Sequence, residues 1–309
     1  MMNKTASRRV DLGAAVRAPL AAMQWRLLLL WVLLLLLPTA VVSLPLWRTL
    51  SGLLDHSVHA QAWATQFSPL MFGDAISALS DSTDWLHGAA MLGLLLTLLL
   101  SPFLNGMVIG SGRAGRAGRV LGFSHLLQCG VVEYGRMFRL MLWSILPYAV
   151  MAVLIGLTFK AVDGIDHKAM LESQVDRASH MAMWLSLVLF VLAQAIVESG
   201  RAAFIADVSL RSATRAFGRG FTQLLRRPFS TLSCYLLISL VGYAIALVLG
   251  VGRVHTPAVG VGGLVLAVLL AQLVVLVLGW VRVARLFALA EVARSLPSSQ
   301  RSGGVSSAL

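Results

Sequence analysis

The stretch LLLLWVLLLLLPTAVVSLPL, residues 27–46, decides the fold. It carries no charge, and a helix needs about 20 mostly apolar residues to cross the hydrocarbon core of a bilayer. Trp25-Arg26 stands just before it, a ring and a cation that suit the headgroup boundary. A signal peptide would share the basic arm and the Leu-rich centre. Here the arm is long and no Ala-x-Ala cleavage site follows Pro38, so the segment reads as a signal anchor.

Five further stretches have the same character: 88–109, 140–159, 181–197, 232–251 and 261–281. Composition agrees, with 58% hydrophobic and only 12% charged residues, where a soluble domain carries about 25% charged. The expected fold is therefore all-α, a polytopic membrane helix bundle with about six transmembrane helices. Residues 1–294 read as a single transmembrane domain and 295–309, rich in Ser and Gly, as a disordered cytoplasmic tail.

A net charge of +12 on a soluble protein would suggest nucleic acid. The distribution argues otherwise. Of the 25 basic residues, all but Arg48, Lys160, Lys168, Arg177 and Arg253 fall in the N-terminal arm, in the loops after spans two and four, or after span six. Asp55, Asp74, Asp81, Asp84, Asp163, Asp166, Glu172 and Asp176 fall on the opposite side. Basic loops stay in the cytoplasm, which places both termini inside. With the Arg-, Leu- and Ala-heavy composition, this suggests a bacterial inner-membrane protein, with anionic membrane lipids rather than nucleic acid as partners. Cys129 and Cys234 have neither metal-ligand nor disulfide-framework spacing and read as reduced, packed thiols.

The basic loops have order of their own. From 210 to 225, Arg211, Arg215 and Arg219 recur every four residues, while Phe217, Phe221 and Leu224 share another face, and Pro228 ends the run. That is an amphipathic helix in the interface, basic side to headgroups. Val120, Leu127, Val131, Tyr134 and Phe138 form a similar stripe before span three, and residues 10–23 a weaker one before span one. Arg26, Arg136, Arg139, Arg211, Arg215, Arg219, Arg226 and Arg227 are the expected headgroup contacts. The unit of interfacial helix, span outward and span inward thus occurs three times as a parallel repeat. One shift of the chain lays Gly110 on Gly200, Gly130 on Gly220 and Arg136 on Arg226.

Between the spans, residues 47–86 form an acidic segment with a short helix expected near 70–79, and 160–180 is polar and helical in its second half. Residues 252–260 read as a tight turn. Gly110-Ser-Gly-Arg-Ala-Gly115 satisfies G-x-G-x-x-G, but no strand precedes it, so a flexible loop is the better reading. Pro38, Pro45, Pro102 and Pro147 kink their spans or mark discontinuous helices, and Gly106-x-x-x-Gly110 permits close helix approach.

Chemistry is sparse. Glu198 lies near the inner end of span four, where an ionisable residue is a functional candidate, although Arg201 three residues on can neutralise it. Asn105, Gln194 and Gln272 place one amide in each of spans two, four and six, for interhelical bonding or a substrate path. Asp55, His56 and His59 are close enough to share a zinc ion, yet no H-E-x-x-H spacing appears, and chance enrichment in polar loops is the simpler account. No cofactor is expected.

The basic helix feeding an aromatic-Arg entry, as in Arg136-Met-Phe-Arg-Leu140 and in 218–228, resembles uncharacterised six-span bacterial inner-membrane proteins. These are similar in layout to the membrane domain of some glycerophosphodiester phosphodiesterases. The catalytic domain of those enzymes is absent, so the resemblance implies a membrane fold and no activity. The expectation is a non-enzymatic membrane scaffold or assembly partner, meeting another membrane protein or a second copy of itself. The alternatives are a carrier of a small solute or lipid and, last, an intramembrane or outer-face metal enzyme.

Overall fold

Every one of the six apolar stretches lies inside a helix longer than itself. The computed structural model describes residues 12–54, 69, 72–73, 76–77, 83–166, 172–256 and 260–296. Among them, six helices are long and apolar enough to cross a membrane: α2 (Trp25–Leu54), α3 (Thr83–Arg116), α4 (Phe123–Asp166), α5 (Glu172–Ala206), α7 (Pro228–Val254) and α8 (Gly260–Arg294). Two shorter helices, α1 (Leu12–Ala21) and α6 (Ala213–Arg226), lie beside them. The chain is an all-α, multi-pass membrane bundle. The expected short helix near 70–79 falls largely outside the described residues, as do Asp55, His56, His59 and nearly all of the tail.

Length has a consequence. The 35 residues of α8 extend about 52 Å at ~1.5 Å per residue, against a hydrocarbon core of about 30 Å. Part of each long helix therefore stands outside the oil. The core of the protein sits at the end of the bundle that carries the basic loops. Leu104, Met107 and Ile109 of α3, Val197, Phe204 and Ile205 of α5, and Val283, Leu286 and Leu289 of α8 are all buried there. Toward the opposite, acidic end the same helices present Leu95, Leu98, Trp184, Val188, Val265 and Leu269 outward.

The repeat is visible as a ring. The first stretch of α4 packs on α3, α6 packs on α5, and α1 packs on α8. Each unit's leading helix thus covers the returning span of the unit before it, and α1 closes the circle on the last one. Glycine makes the first two contacts close. A Cβ on Gly106 would meet the Gly130 carbonyl oxygen at 3.0 Å, and one on Gly110 would meet Cys129 Cβ at 2.5 Å. A Cβ on Gly220 would meet Gly200 N at 2.5 Å and Ile196 O at 2.6 Å. The pairs superposed by the sequence shift therefore do the same job in consecutive units. In the third contact the Trp280 indole N–H donates to Pro19 O at 2.9 Å.

Several expectations need correction. The apolar stripe before span three is not a separate interfacial helix: it runs unbroken into the span as the 44 residues of α4. No proline stands between the stripe and the span, whereas Pro228 separates α6 from α7. Gly110 to Gly115 is helical rather than a loop, because those glycines serve packing. A Cβ on Gly112 would meet Phe287 at 2.9 Å and Ile205 at 3.0 Å. Pro38, Pro45, Pro102 and Pro147 lie inside continuous helices, as membrane helices tolerate when neighbours re-satisfy the freed backbone groups. The polar segment after span three is helical in its first half too, since α4 reaches Asp166.

Candidate functional site

The densest polar cluster lies where the apolar stretches of α5 and α8 end. On α5 the spacing places Gln194, Glu198 and Arg201 along one face. Span six ends in Arg282-Val-Ala-Arg285, which puts two guanidinium groups one turn apart. On α7, Tyr235, Ser239 and Tyr243 recur every four residues and form a hydroxyl stripe. Tyr148 enters from α4 and Trp31 from α2. Five spans thus contribute to one site.

Glu198 Oε1 accepts from Arg285 Nη2 at 2.8 Å, and these residues are only 2% and 7% exposed. Arg285 Nη1 also donates to Ser239 Oγ at 3.1 Å and the Tyr235 hydroxyl at 3.3 Å. Its guanidinium lies 4.8 Å from the Tyr235 ring centre, within cation–π range. The Tyr148 hydroxyl donates to Gln194 Oε1 at 3.1 Å and bridges α4 to α5.

The remaining two guanidinium groups lack such partners. Arg201 is 8% exposed and, like Arg282, forms no ion pair or side-chain hydrogen bond among the described residues. Arg282 rests 5.8 Å from the Trp31 ring centre, with its Nε buried and unpartnered. Arg201, Arg282 and Glu198 are close enough to feel one another's charge. One carboxylate thus faces three arginines, and Glu198 Oε2 and Arg285 Nε are also buried without a hydrogen bond. A buried charge without a counter-charge is costly. Two positive charges are thus in excess there, with open donors.

The sequence candidates sort unevenly against this geometry. Glu198 does not pair with Arg201 in its own helix. Arg285 takes it instead, because the facing turn of α8 brings a guanidinium straight onto the carboxylate. Gln194 joins the cluster through Tyr148. Asn105 bonds within its own helix, to Ser101 O at 2.7 Å, and its Oδ1 is buried without a partner. Gln272 makes no side-chain hydrogen bond among the described residues. Tyr148, Tyr235, Ser239, Arg282 and Arg285 were not singled out by sequence reasoning. The signal was present in the acid-free Arg-x-x-Arg step and in the hydroxyls at four-residue spacing on an apolar span.

The arginines expected at headgroups take two roles. Arg136 turns to Glu133 at 3.0 Å, beside Arg113 at 2.6 Å, and Arg219 turns to Asp207 at 2.6 Å. Arg26 donates to Leu121 O at 3.4 Å and Arg227 to Ser295 O at 3.5 Å. Arg139, Arg211, Arg215 and Arg226 remain exposed. Hydrogen bonds from Ser209, then from Arg219, hold the Asp207 carboxyl below its ordinary range. No group of three metal-ligating side chains occurs among the described residues, which leave out His56 and His59.

No protein-family model matches the chain, and comparison with curated proteins and with solved structures returns no match.

Proposed function

We propose that this chain is a carrier of a small anionic solute or lipid in the bacterial inner membrane, with its basic end and both termini in the cytoplasm. The positive-inside distribution supports the orientation. The observation that carries the function is the excess of Arg201 and Arg282 over Glu198 in a buried site lined by five spans. Ionisable residues at membrane depth mark substrate paths, and a planar guanidinium suits carboxylate or phosphate. The Glu198–Arg285 pair holds α5 to α8 and leaves the other two arginines for the ligand. A membrane scaffold or assembly partner is the second reading, favoured by the broad apolar surface of the acidic-end half.

Thermal unfolding of the protein in nanodiscs, with phosphate, sulfate and dicarboxylates in turn, tests the first reading. One of them is expected to stabilise the wild type, by about 2.7 kcal/mol at a hundredfold excess over its Kd. Arg201→Gln is expected to abolish that response, and Glu198→Gln to abolish flux in proteoliposomes. If no anion stabilises the wild type and Arg201→Gln raises Tm, the cluster is structural. The scaffold reading then leads, with a stoichiometric protein companion in native mass spectrometry as its own test.

A further inference from the structure

A second basic feature lies on the outside of the bundle, between α4 and α6. A cavity of about 800 Å³ is bounded there by Arg139, Arg211, Ser212 and Thr214 at its polar end and by Leu142 and Trp143. Leu146 also lines a second cavity of about 390 Å³, an almost wholly apolar groove that continues between α4 and α5 past Val150 to Leu154. Trp143 stacks on Phe217 at 5.9 Å and ties the two walls together where the cavities meet. Neither Arg139 nor Arg211 has an ion-pair or hydrogen-bond partner among the described residues, and no described carboxylate lines either cavity.

We infer that this pair of cavities seats one anionic phospholipid, with its phosphate on Arg139 and Arg211 and an acyl chain along the groove. The charge is complementary, and the order of polar end and apolar groove is that of the lipid itself. Dimensions agree. Leu146 to Leu154 climbs about 12 Å along α4, close to the half-thickness of ~15 Å that one leaflet supplies. Arg139 opens span three at the basic end, where a headgroup of that leaflet lies. Arg136 and Arg219, one turn or two from the site, are paired with carboxylates, whereas the two guanidinium groups that line the cavity are both unpaired among the described residues.

The test is native mass spectrometry of the full chain released from nanodiscs holding phosphatidylglycerol and phosphatidylcholine. The wild type should retain one phosphatidylglycerol per chain. The Arg139→Gln/Arg211→Gln double variant should lose it by about 30-fold, the conversion of two near-surface arginine contacts. Leu146→Trp keeps both arginines and fills the groove, so it should lose the lipid as well, and it serves if the double variant fails to fold. Arg226→Gln, away from the site, should retain it. Equal retention of phosphatidylcholine, or an unchanged lipid in both site variants, overturns the inference. Stabilisation by inorganic phosphate alone that disappears with Arg139 and Arg211 assigns the site to a free anion and also overturns it.

Discussion

Within α5 alone, Val197, Phe204 and Ile205 are buried while Trp184, Leu187 and Val188, three turns earlier, are exposed. The same contrast divides α3 and α8, although the acidic-end half of α8 carries no charge and its buried half carries Arg282, Arg285, Glu291 and Arg294. What differs is the packing. Toward the acidic end the surrounding lipid is as apolar as leucine, and nothing but packing and polar contacts would draw the spans together. The ring of leading helices on returning spans supplies that packing at one end only. The basic end is therefore a folded core, and the acidic-end halves are spans dressed by lipid.

The contrast breaks most sharply at glycine. A side chain on Gly220 would meet the backbone of Gly200 and Ile196 at 2.5–2.6 Å, and backbone cannot step aside. Gly220→Leu should cost at least ~3 kcal/mol, the upper range for overpacking, and yield little monodisperse protein. Gly250, toward the acidic end of α7, meets nothing within 4 Å. Gly250→Leu should change stability by no more than about 0.5 kcal/mol, since the helix gains propensity and no neighbour is displaced. Equal losses in size-exclusion yield and Tm would show that the two ends are packed alike.

A smaller effect separates two leucines of α8. Leu289 is 0% exposed and Leu269 is 55% exposed. Leu289→Ala opens a cavity whose lining cannot fully collapse and should cost about 2–3 kcal/mol. Leu269→Ala faces lipid, which closes over the missing methyls, and should stay within about 0.5 kcal/mol. Thermal unfolding of both variants in one lipid composition measures the difference directly.

Span number and the leading helices α1 and α6 were legible because they depend on local periodicity. Gly130 and Gly220, which fall at matching places in the chain, each approach the returning span before them, at Gly106 and at Gly200, but the sequence shift alone did not show those contacts. The end of the stripe before span three was not legible, because continuity of a helix through Gly130 and Gly135 is decided by what packs against it. The polar core was half legible. Glu198 and Gln194 stand out in apolar sequence, but their partners Arg285 and Tyr148 come from other spans. The i,i+3 rule pointed to Arg201, and a tertiary contact overrode it. The role of each arginine at the rim is equally invisible in sequence, since Arg136 and Arg139 differ only in which helix face meets a carboxylate.

The smallest expected effect asks whether charge as well as packing holds the basic end together. Asp207 follows α5, accepts from the Ser209 hydroxyl at 2.6 Å and its N–H at 2.9 Å, and takes Arg219 Nη1 of α6 at 2.6 Å. These contacts lower its folded-state pKa below the usual carboxylate value. A depressed carboxyl stabilises the fold above its unfolded value of about 3.9, and the contribution is lost as pH falls through that value and then the folded one. Both partners are partly solvated, so the contribution should stay below about 1 kcal/mol. Protection of α6 amides, taken relative to their intrinsic exchange rates, should fall below about pH 4, and Asp207→Asn should show the lower protection already at neutral pH, with a flatter acid response. High, pH-independent protection in both proteins would leave packing, with the Gly200–Gly220 contact at its centre, to dock α6.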